Sequence, residues 1–543
     1  MPIFPVRNLS KYGVISDADP FNLPPEAFSA GVNVRFKNGS ILRAPVFRTA
    51  NNSLFDANPR FITNNTPIGG YDAIITGYLN GRVTQYTVAT GEDDISIAGY
   101  VNSDSENPFT SCHLANVFYI NRGDRQPWAL RVTDVALVDI DTVCDWPNNY
   151  TAKLFRSCGS AAVAFGVTKA GTDFPTMVKT SEFATNNTIP NWDPTVAGTN
   201  ATENILADME GSITDAQNLG EQMVIYGLNE TWMMTADGST NVWSYHRLFN
   251  DAGSISANCS VEVDRKHYVF GLTDLWVHDG NSKKSICDQR TRDFVFAAAN
   301  ISKSAQFFVG HNQHLKEIYF CFVSGDAYTG FLSSVHDGCN RAAVYNYADN
   351  NWTYYDLPYV RSGWRVNLNT LQTYATATAS YATIGGTYLD QDDSIKKVFS
   401  FIGETVSSYS LTGSLYCFDL QGPGSVMSLP IDTNATLGWT LIREGIDLDE
   451  VGVDLKGYKI INSIYPQARL ETEAEPLNFY VGAVDYANDN ITWAPVQTFD
   501  GSTNYKLDYN MPGRYLALKI THDDYHYVNL TGFDIDLDVN GER

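Results

Sequence analysis

The sequence predicts an all-β protein: a β-propeller body of about six to seven blades, inserted β-rich segments, and a C-terminal antiparallel β-sandwich or barrel domain. Three observations predict it. A hairpin pattern returns along the chain at a near-constant spacing. The composition favours pleated sheets. The strand texture changes after about residue 440.

The hairpin consists of a short apolar run, a tight turn and a second apolar run. It recurs at Ala73 to Tyr86, Cys112 to Asn121, Lys153 to Val167, Glu221 to Met234, Lys266 to Gly280, Ala305 to Phe322 and Ser408 to Leu420. The turns centre near 80, 116, 159, 228, 273, 315 and 413. Four of the six gaps are roughly 36 to 45 residues, close to the length of a four-stranded propeller blade. The two longer gaps read as insertions. Aromatic residues make up 13% of the chain, with 31 Tyr and 28 Phe, and 41 Gly punctuate them. Aromatic and β-branched residues suit half-buried pleated surfaces, and Gly suits the turns between them.

Taken in order, residues 1–66 form an N-terminal arm with an opening hairpin. In that hairpin Val32, Val34 and Phe36 alternate with Asn33 and Arg35, and Asn38-Gly39 makes the turn. Residues 67–358 carry blades, interrupted at 183–218 by a polar, turn-rich stretch that reads as a surface excursion. Residues 359–405 are a β-rich insertion, the candidate tip or gate, and 406–435 return as closing propeller strands. Residues 436–543 carry longer alternating strands and read as a separate sandwich-like domain. The best short helix lies within 286–300.

The formal charge is −24. That excludes a protein that grips phosphates through a basic face, but suits a surface that nucleic acid slides past. No apolar run approaches the length of a membrane-spanning helix, and the first residues lack the pattern of a secretory leader. The eight Cys form no CxxC pair, and Cys158, Cys321 and Cys417 sit in apolar strand patterns. Reduced thiols in a protein made in a cytoplasm are expected.

Catalytic patterns are sparse, and the reading is of a non-enzyme without cofactor or metal. His311 with His314, and His336 with Cys339, have ligand-like spacing, but no second ligand pair matches them. The Asp-rich stretches Asp390 to Ser394 and Asp447 to Asp454 do not fit a calcium loop and read as solvated turns. Asp237 to Trp243 and Asn488 to Trp493 faintly resemble the Asp-box turns of sialidase propellers, yet no Arg cluster for a substrate carboxylate can be assembled from the sequence. Trp232, Trp276 and Trp352 occupy matching places in the second strand of repeats and read as core. The Tyr-rich stretches at 374–388 and 405–416 are better suited to contact. Tyr374, Tyr381, Tyr388, Asp390, Asp392 and Asp393 are therefore the candidate partner or channel contacts.

Several segments, in order along most of the chain, resemble one family. They are Gly31 to Pro45, Val117 to Arg131, Tyr245 to Phe296, Gly310 to Pro358 and Gly513 to Arg543. Tyr245 to Phe296 is the most specific, with Leu-Phe-Asn-Asp-Ala-Gly, His-Asp-Gly and Arg-Asp-Phe elements in family order. Together they are similar to the tail nozzle proteins of short-tailed bacteriophages, also called tail tubular protein B-like or packaged-DNA stabilisation proteins. The resemblance implies a propeller with added β domains, present as a homo-hexamer that forms the distal tail tube of the virion after assembly in the host cytoplasm. Its expected partners are an adaptor (head-to-tail connector) ring, tail fibres or spikes, double-stranded DNA passing through the lumen, and the host envelope at ejection. The alternative reading is a carbohydrate-binding propeller, either receptor-binding or lectin-like.

Overall fold

The structure, a computed structural model, describes residues 3–50, 58–65, 73–87, 91–97, 107–238, 242–325, 337–367, 397–404, 413–419, 431, 438–448, 457–471, 473–486 and 489–540. Nearly all regular structure is antiparallel β; Arg292–Ala298 is the one α-helix among the described residues.

Five sheets have four strands each, paired in chain order. Unit 1 contains Pro59–Asn65, Ala73–Tyr78, Val83–Thr87 and Gly91–Asp94. Unit 2 contains Phe109–Leu114, Val117–Arg122, Trp128–Arg131 and Val138–Asp139. Unit 3 contains Tyr150–Cys158, Ala161–Lys169, Thr172–Phe183 and Thr202–Ile205. Unit 4 contains Asp215–Leu219, Gln222–Tyr226, Thr231–Ala236 and Trp243–Phe249, and unit 5 Ser260–Val263, Lys266–Phe270, Leu275–His278 and Lys283–Ser285.

Two further four-strand groups lie within a thirteen-stranded sheet. Unit 6 pairs Phe308–Asn312, Glu317–Phe322, Cys339–Asn346 and the first part of the long strand Asn351–Asn367. Unit 7 starts with the rest of that strand, residues 360–367. It continues through Lys397–Glu404 and Gly413–Asp419 and ends on Val46–Ala50 from the N-terminal region.

The first strand of each unit from 1 to 6 lies beside the first strand of the next, and Asn351–Asn367 lies beside the first strands of both unit 6 and unit 1. The series of contacts thus returns to its start. Apolar packing follows the same order. Ile75 joins Phe109, Phe118 and Trp128 between units 1 and 2, whereas its neighbour Ile74 joins Val366, Ile402 and Leu415 between units 1 and 7. Phe155 faces Tyr119 and Trp192, whereas Leu154 faces Ile225 and Trp232. Successive strand side chains point to opposite faces. Here both faces are covered, so the strands read as continuous apolar runs.

The N-terminal strands are built into the far end of the chain. Ile3–Arg7, Val34–Lys37 and Ser40–Arg43 share a sheet with Tyr458–Leu470, Leu507–Gly513 and Val528–Asn540. Ala30–Val32 joins Trp439–Ile446, which continues through Tyr515–His522 and Leu477–Val484. Val32 also pairs in parallel with Tyr354, so this second sheet is continuous with unit 6. Asn33 is the pivot between the two sheets. Its φ is +59°; its amide donates to Tyr354 O, its Nδ2 to Gly438 O, and its Oδ1 accepts from Asp356 N. The Asn38-Gly39 turn forms as expected, with φ of +51° and +80°, the pattern of a type I′ hairpin turn.

Several local readings are corrected. The recurrent hairpins are not equivalent: those at 73–86, 221–234 and 266–280 join second and third strands, whereas those at 112–121, 153–167 and 305–322 join first and second. That change of register widens the apparent gap between the turns at 159 and 228. Residues 183–218 are more than an excursion, since they contain the outer strand of unit 3 and most of the first strand of unit 4. They also carry Trp192, which is fully buried against Trp146 and Phe155. Trp232 and Trp276 do match, each paired to the penultimate residue of the preceding strand, but in third strands; Trp352 lies in a fourth strand opposite Tyr345. All three are buried.

Candidate functional site

The six residues singled out from the sequence, Tyr374, Tyr381, Tyr388, Asp390, Asp392 and Asp393, lie outside the described residues. The root of their segment is described. Asn367 stands opposite Lys397, so both ends of residues 368–396 leave from one edge of unit 7. Trp364 Nε1 donates to Asn64 Oδ1 at 2.8 Å, His113 Nε2 lies 2.8 Å from Asn64 O, and Arg365 Nη1 donates to Gln313 Oε1 at 2.5 Å. These contacts align the ends of first strands in units 7, 1 and 2. Asn367 and Lys397 therefore lie toward the same end of the first strands as Asn64 and His113.

At the other end of the first strands a polar cluster fills the middle of the ring. Arg156 Nη2 reaches Asp215 Oδ1 at 3.3 Å and Asn258 Oδ1 at 2.9 Å, while its Nε donates to Ala216 O. Ser260 Oγ donates to Asp215 Oδ2 at 2.7 Å, and Asn258 Nδ2 to Phe109 O at 3.0 Å. Next to it, Arg361 Nη2 lies 2.8 Å from Asp337 Oδ2, Arg60 Nη1 3.6 Å away, and Gln306 Nε2 donates to Asp337 Oδ1 at 2.9 Å. Burial acts to raise the Asp337 carboxyl, but Arg361, Gln306 and Arg60 outweigh it and hold it far below the usual carboxylate range. Burial raises Asp215, against the opposing pull of Arg156.

This cluster joins Arg60, Arg156 and Arg361, which sequence reasoning did not assemble. Each lies in a first strand of mixed polar and apolar residues, so no local signal marks it. The cavity beside Arg60, Asn258, Gln306 and Arg361 measures about 50 Å³. Small-molecule sites run to roughly 300–1,000 Å³. The guanidiniums are directed at carboxylates and carbonyls of neighbouring units, which suits a plug that locks the first strands together.

A second buried network joins units 4 and 5. Tyr226 Oη lies 2.6 Å from His267 Nδ1 and 2.7 Å from His278 Nε2. His267 Nε2 faces Asn218 O at 2.7 Å, and His278 Nδ1 accepts from Gly280 N at 3.2 Å. These partners fix the tautomers: His278 Nε2–H donates to Tyr226, whose hydroxyl donates to His267 Nδ1, and His267 Nε2–H donates to Asn218. The set is complete with both rings neutral. Burial lowers His267 to about 4; burial, reinforced by His267, lowers His278 to about 3.

The ligand-like spacings do not converge. His311 Nε2 contacts Tyr347 Oη at 3.2 Å, and Cys339 Sγ donates to Gln306 O at 3.2 Å, while His336 lies outside the described residues. No group of three or more His, Cys, Asp or Glu side chains suited to a metal ion occurs among the described residues. All eight cysteines are free, and seven are buried. Burial pushes the thiols of Cys112 and Cys287 up to about 12 and Cys158 to about 11, so they stay protonated and unreactive at neutral pH.

The motifs that carried the family resemblance have structural work in this fold. Gly253 of the Asn-Asp-Ala-Gly element passes so close to the turn of unit 4 that a Cβ would stand 2.1 Å from Gly227 O. Its carbonyl accepts from Trp276 Nε1 at 3.1 Å. Asp293 and Phe294 open the helix, and both amides donate to the Asp17 carboxylate at 3.0 Å. No protein-family profile matches the chain, and no curated protein matches it.

Proposed function

We propose that this chain is a seven-bladed β-propeller fused to a β-sandwich, and that it serves as a structural subunit of a phage tail nozzle. Six copies would surround an axis, meet an adaptor ring at one pole, and hold tail fibres or spikes. Double-stranded DNA would pass along the common axis on its way through the host envelope.

The observation that carries this reading is the closed series of four-strand units with a plugged centre. A ring of stacked units leaves no long free edges and gives a rigid body. Because Arg156, Asp215, Arg361 and Asp337 occupy its middle, a conduit for DNA must lie between copies rather than through one. The charge of −24 supports a wall that repels phosphates and lets them slide. The order of family-like segments along the chain supports the phage assignment. The carbohydrate-binding reading predicts exposed Trp and Tyr at unit turns; Trp232, Trp276 and Trp352 are buried, and Trp364 is the exposed Trp beside the unit 7 turn.

The gate is proposed in the insertion at 359–405, with 183–218 as the second candidate. Residues 360–367 and 397–404 pair as strands, so the deletion that tests the gate removes 368–396 and leaves the sheet whole. The expected result is loss of packaged-DNA retention or infectivity in particles carrying the deletion; particles that keep both sink the gate. The nozzle itself is tested by negative-stain imaging of the purified chain, alone and with candidate adaptor rings. Six-fold rings with a central pore are expected. Lone discs that never join an adaptor sink the assignment.

A further inference from the structure

Units 6 and 7 have covered outer edges: Ala30–Val32 lies along unit 6, and Ile431 bridges Arg48 in the last strand of unit 7. Among the described residues, units 1 to 5 each end in a strand with no further paired neighbour. Such edges invite pairing unless shortness or charge prevents it. Three are short or balanced. Unit 2 ends in the two residues Val138–Asp139. In unit 3, Glu203 is held by Lys169 at 2.5 Å and Lys179 at 2.7 Å. In unit 4, Arg247 lies 3.5 Å from Glu230.

The remaining two edges carry opposite charge. Unit 1 ends in Gly91–Asp94, with Glu92, Asp93 and Asp94 in succession. Arg82 lies 3.9 Å from Glu92 and 2.9 Å from Asp94. Asp93 is exposed and has no ion pair among the described residues. Unit 5 ends in Lys283–Ser285. Lys283 pairs with Asp251, whereas Lys284 is exposed and has no ion pair among the described residues. Beside these lysines a groove of about 150 Å³ opens between units 4 and 5, with Leu228 and Leu272 in its wall. Leu228 is 38% exposed, an apolar tip next to a basic edge.

We infer that these two edges are the halves of one head-to-tail contact between copies of this chain. The acidic edge of unit 1 in one copy seats against the lysine edge and groove of unit 5 in the next. The inference rests on the reading of the chain as a ring subunit and names the surfaces that build the ring. The two edges differ, so the contact is heterologous and repeats in one sense, as a ring requires. Around the closed series, units 5, 6, 7 and 1 span the shorter arc. That arc carries the sandwich, so the sandwich side faces the ring axis and units 2 to 4 face outward.

The test uses the full-length chain in four forms: unaltered, Asp93→Lys, Lys284→Asp, and both together. Sedimentation velocity at low and moderate salt reads association, and negative-stain imaging reads its symmetry. Thermal unfolding serves as the folding control, since both side chains are exposed. Each single reversal is expected to weaken association by on the order of tenfold, and the double swap to restore it, because opposite charges then face each other again. Association that ignores both reversals, a swap that fails to restore it, or an unaltered chain that stays monomeric overturns the contact. Six-fold rings indifferent to the swap would overturn the contact and leave the nozzle reading standing. Swap-sensitive dimers or open filaments would keep the contact and sink the six-fold ring.

Discussion

Arg35 and Glu317, 282 residues apart, share a buried ion pair of 2.5 Å that joins the opening hairpin to unit 6. Arg35 Nη2 also donates to Leu315 O, and Glu317 Oε2 accepts from Tyr319 Oη at 2.8 Å. Removing one partner of such a pair leaves a charge buried without compensation, at about 3–5 kcal/mol. Arg35→Met is expected to lose that much in urea unfolding. Arg35→Met with Glu317→Leu is expected to lose clearly less, since no charge then stays behind. Equal losses would show that the pair contributes little.

The neutral Tyr226–His267–His278 network makes stability depend on pH. Both imidazoles are depressed in the folded chain, to about 4 and about 3, against roughly 6.5 when unfolded. Between those values the unfolded chain binds more protons, so stability rises with pH. The contribution is complete above about pH 6.5 and is lost as pH falls toward 4. His113, His311 and His522 shift in the same direction and add to the slope. Tyr226→Phe is expected to cost about 1–3 kcal/mol at pH 7.5 by orphaning buried ring nitrogens. Urea unfolding at pH 4.5, 5.5, 6.5 and 7.5 checks both points; a flat profile would contradict the assigned tautomers.

Gly253 has no room for a side chain. Its Cβ would meet Gly227 O at 2.1 Å and Leu228 C at 2.6 Å, both backbone atoms that cannot step aside alone. Gly253→Ala is expected to cost about 3 kcal/mol through forced backbone shifts. Thermal unfolding reads the loss, and a variant as stable as the parent would mean that the turn of unit 4 yields freely.

Phe47 anchors the strand that closes unit 7. It is 5% exposed and meets Tyr416 edge to face, with ring centroids 6.0 Å apart. Phe47→Ala is expected to cost about 3–5 kcal/mol. Limited proteolysis should then cut the N-terminal region before the units. If cleavage begins in units 2 to 4 instead, the closing strand is not the weak seam.

Much of the fold was legible because its signal is local. The runs Ala73–Tyr78 and Gln222–Tyr226 announce strands by residue type alone, and Asn38-Gly39 announces its turn. What escaped the sequence depends on distant partners. Thr202–Ile205 is polar and short, and becomes a strand only because Met177 to Thr180 offers it an edge. Arg35 looked like an outward polar alternate until Glu317 was placed beside it. Arg60, Arg156 and Arg361 were each unremarkable in their own strands; only the return of the ring brings them to one centre. Trp192 lay in a polar stretch whose composition concealed one buried ring.

The union of Val46–Ala50 with Gly413–Asp419 has a consequence for the order of synthesis. The early strand leaves the ribosome 413 − 50 = 363 residues before its partner begins. At cellular elongation rates the wait is on the order of tens of seconds. For that time units 1 to 6 can stack as an open arc while the closing strand has nothing to bind. A prematurely terminated chain would therefore remain an unclosed horseshoe with a bare edge, the kind of product that quality-control proteases and chaperones recognise. Closure acts as a proofreading step: the body becomes whole only when the chain has been made as far as Asp419 of its 543 residues.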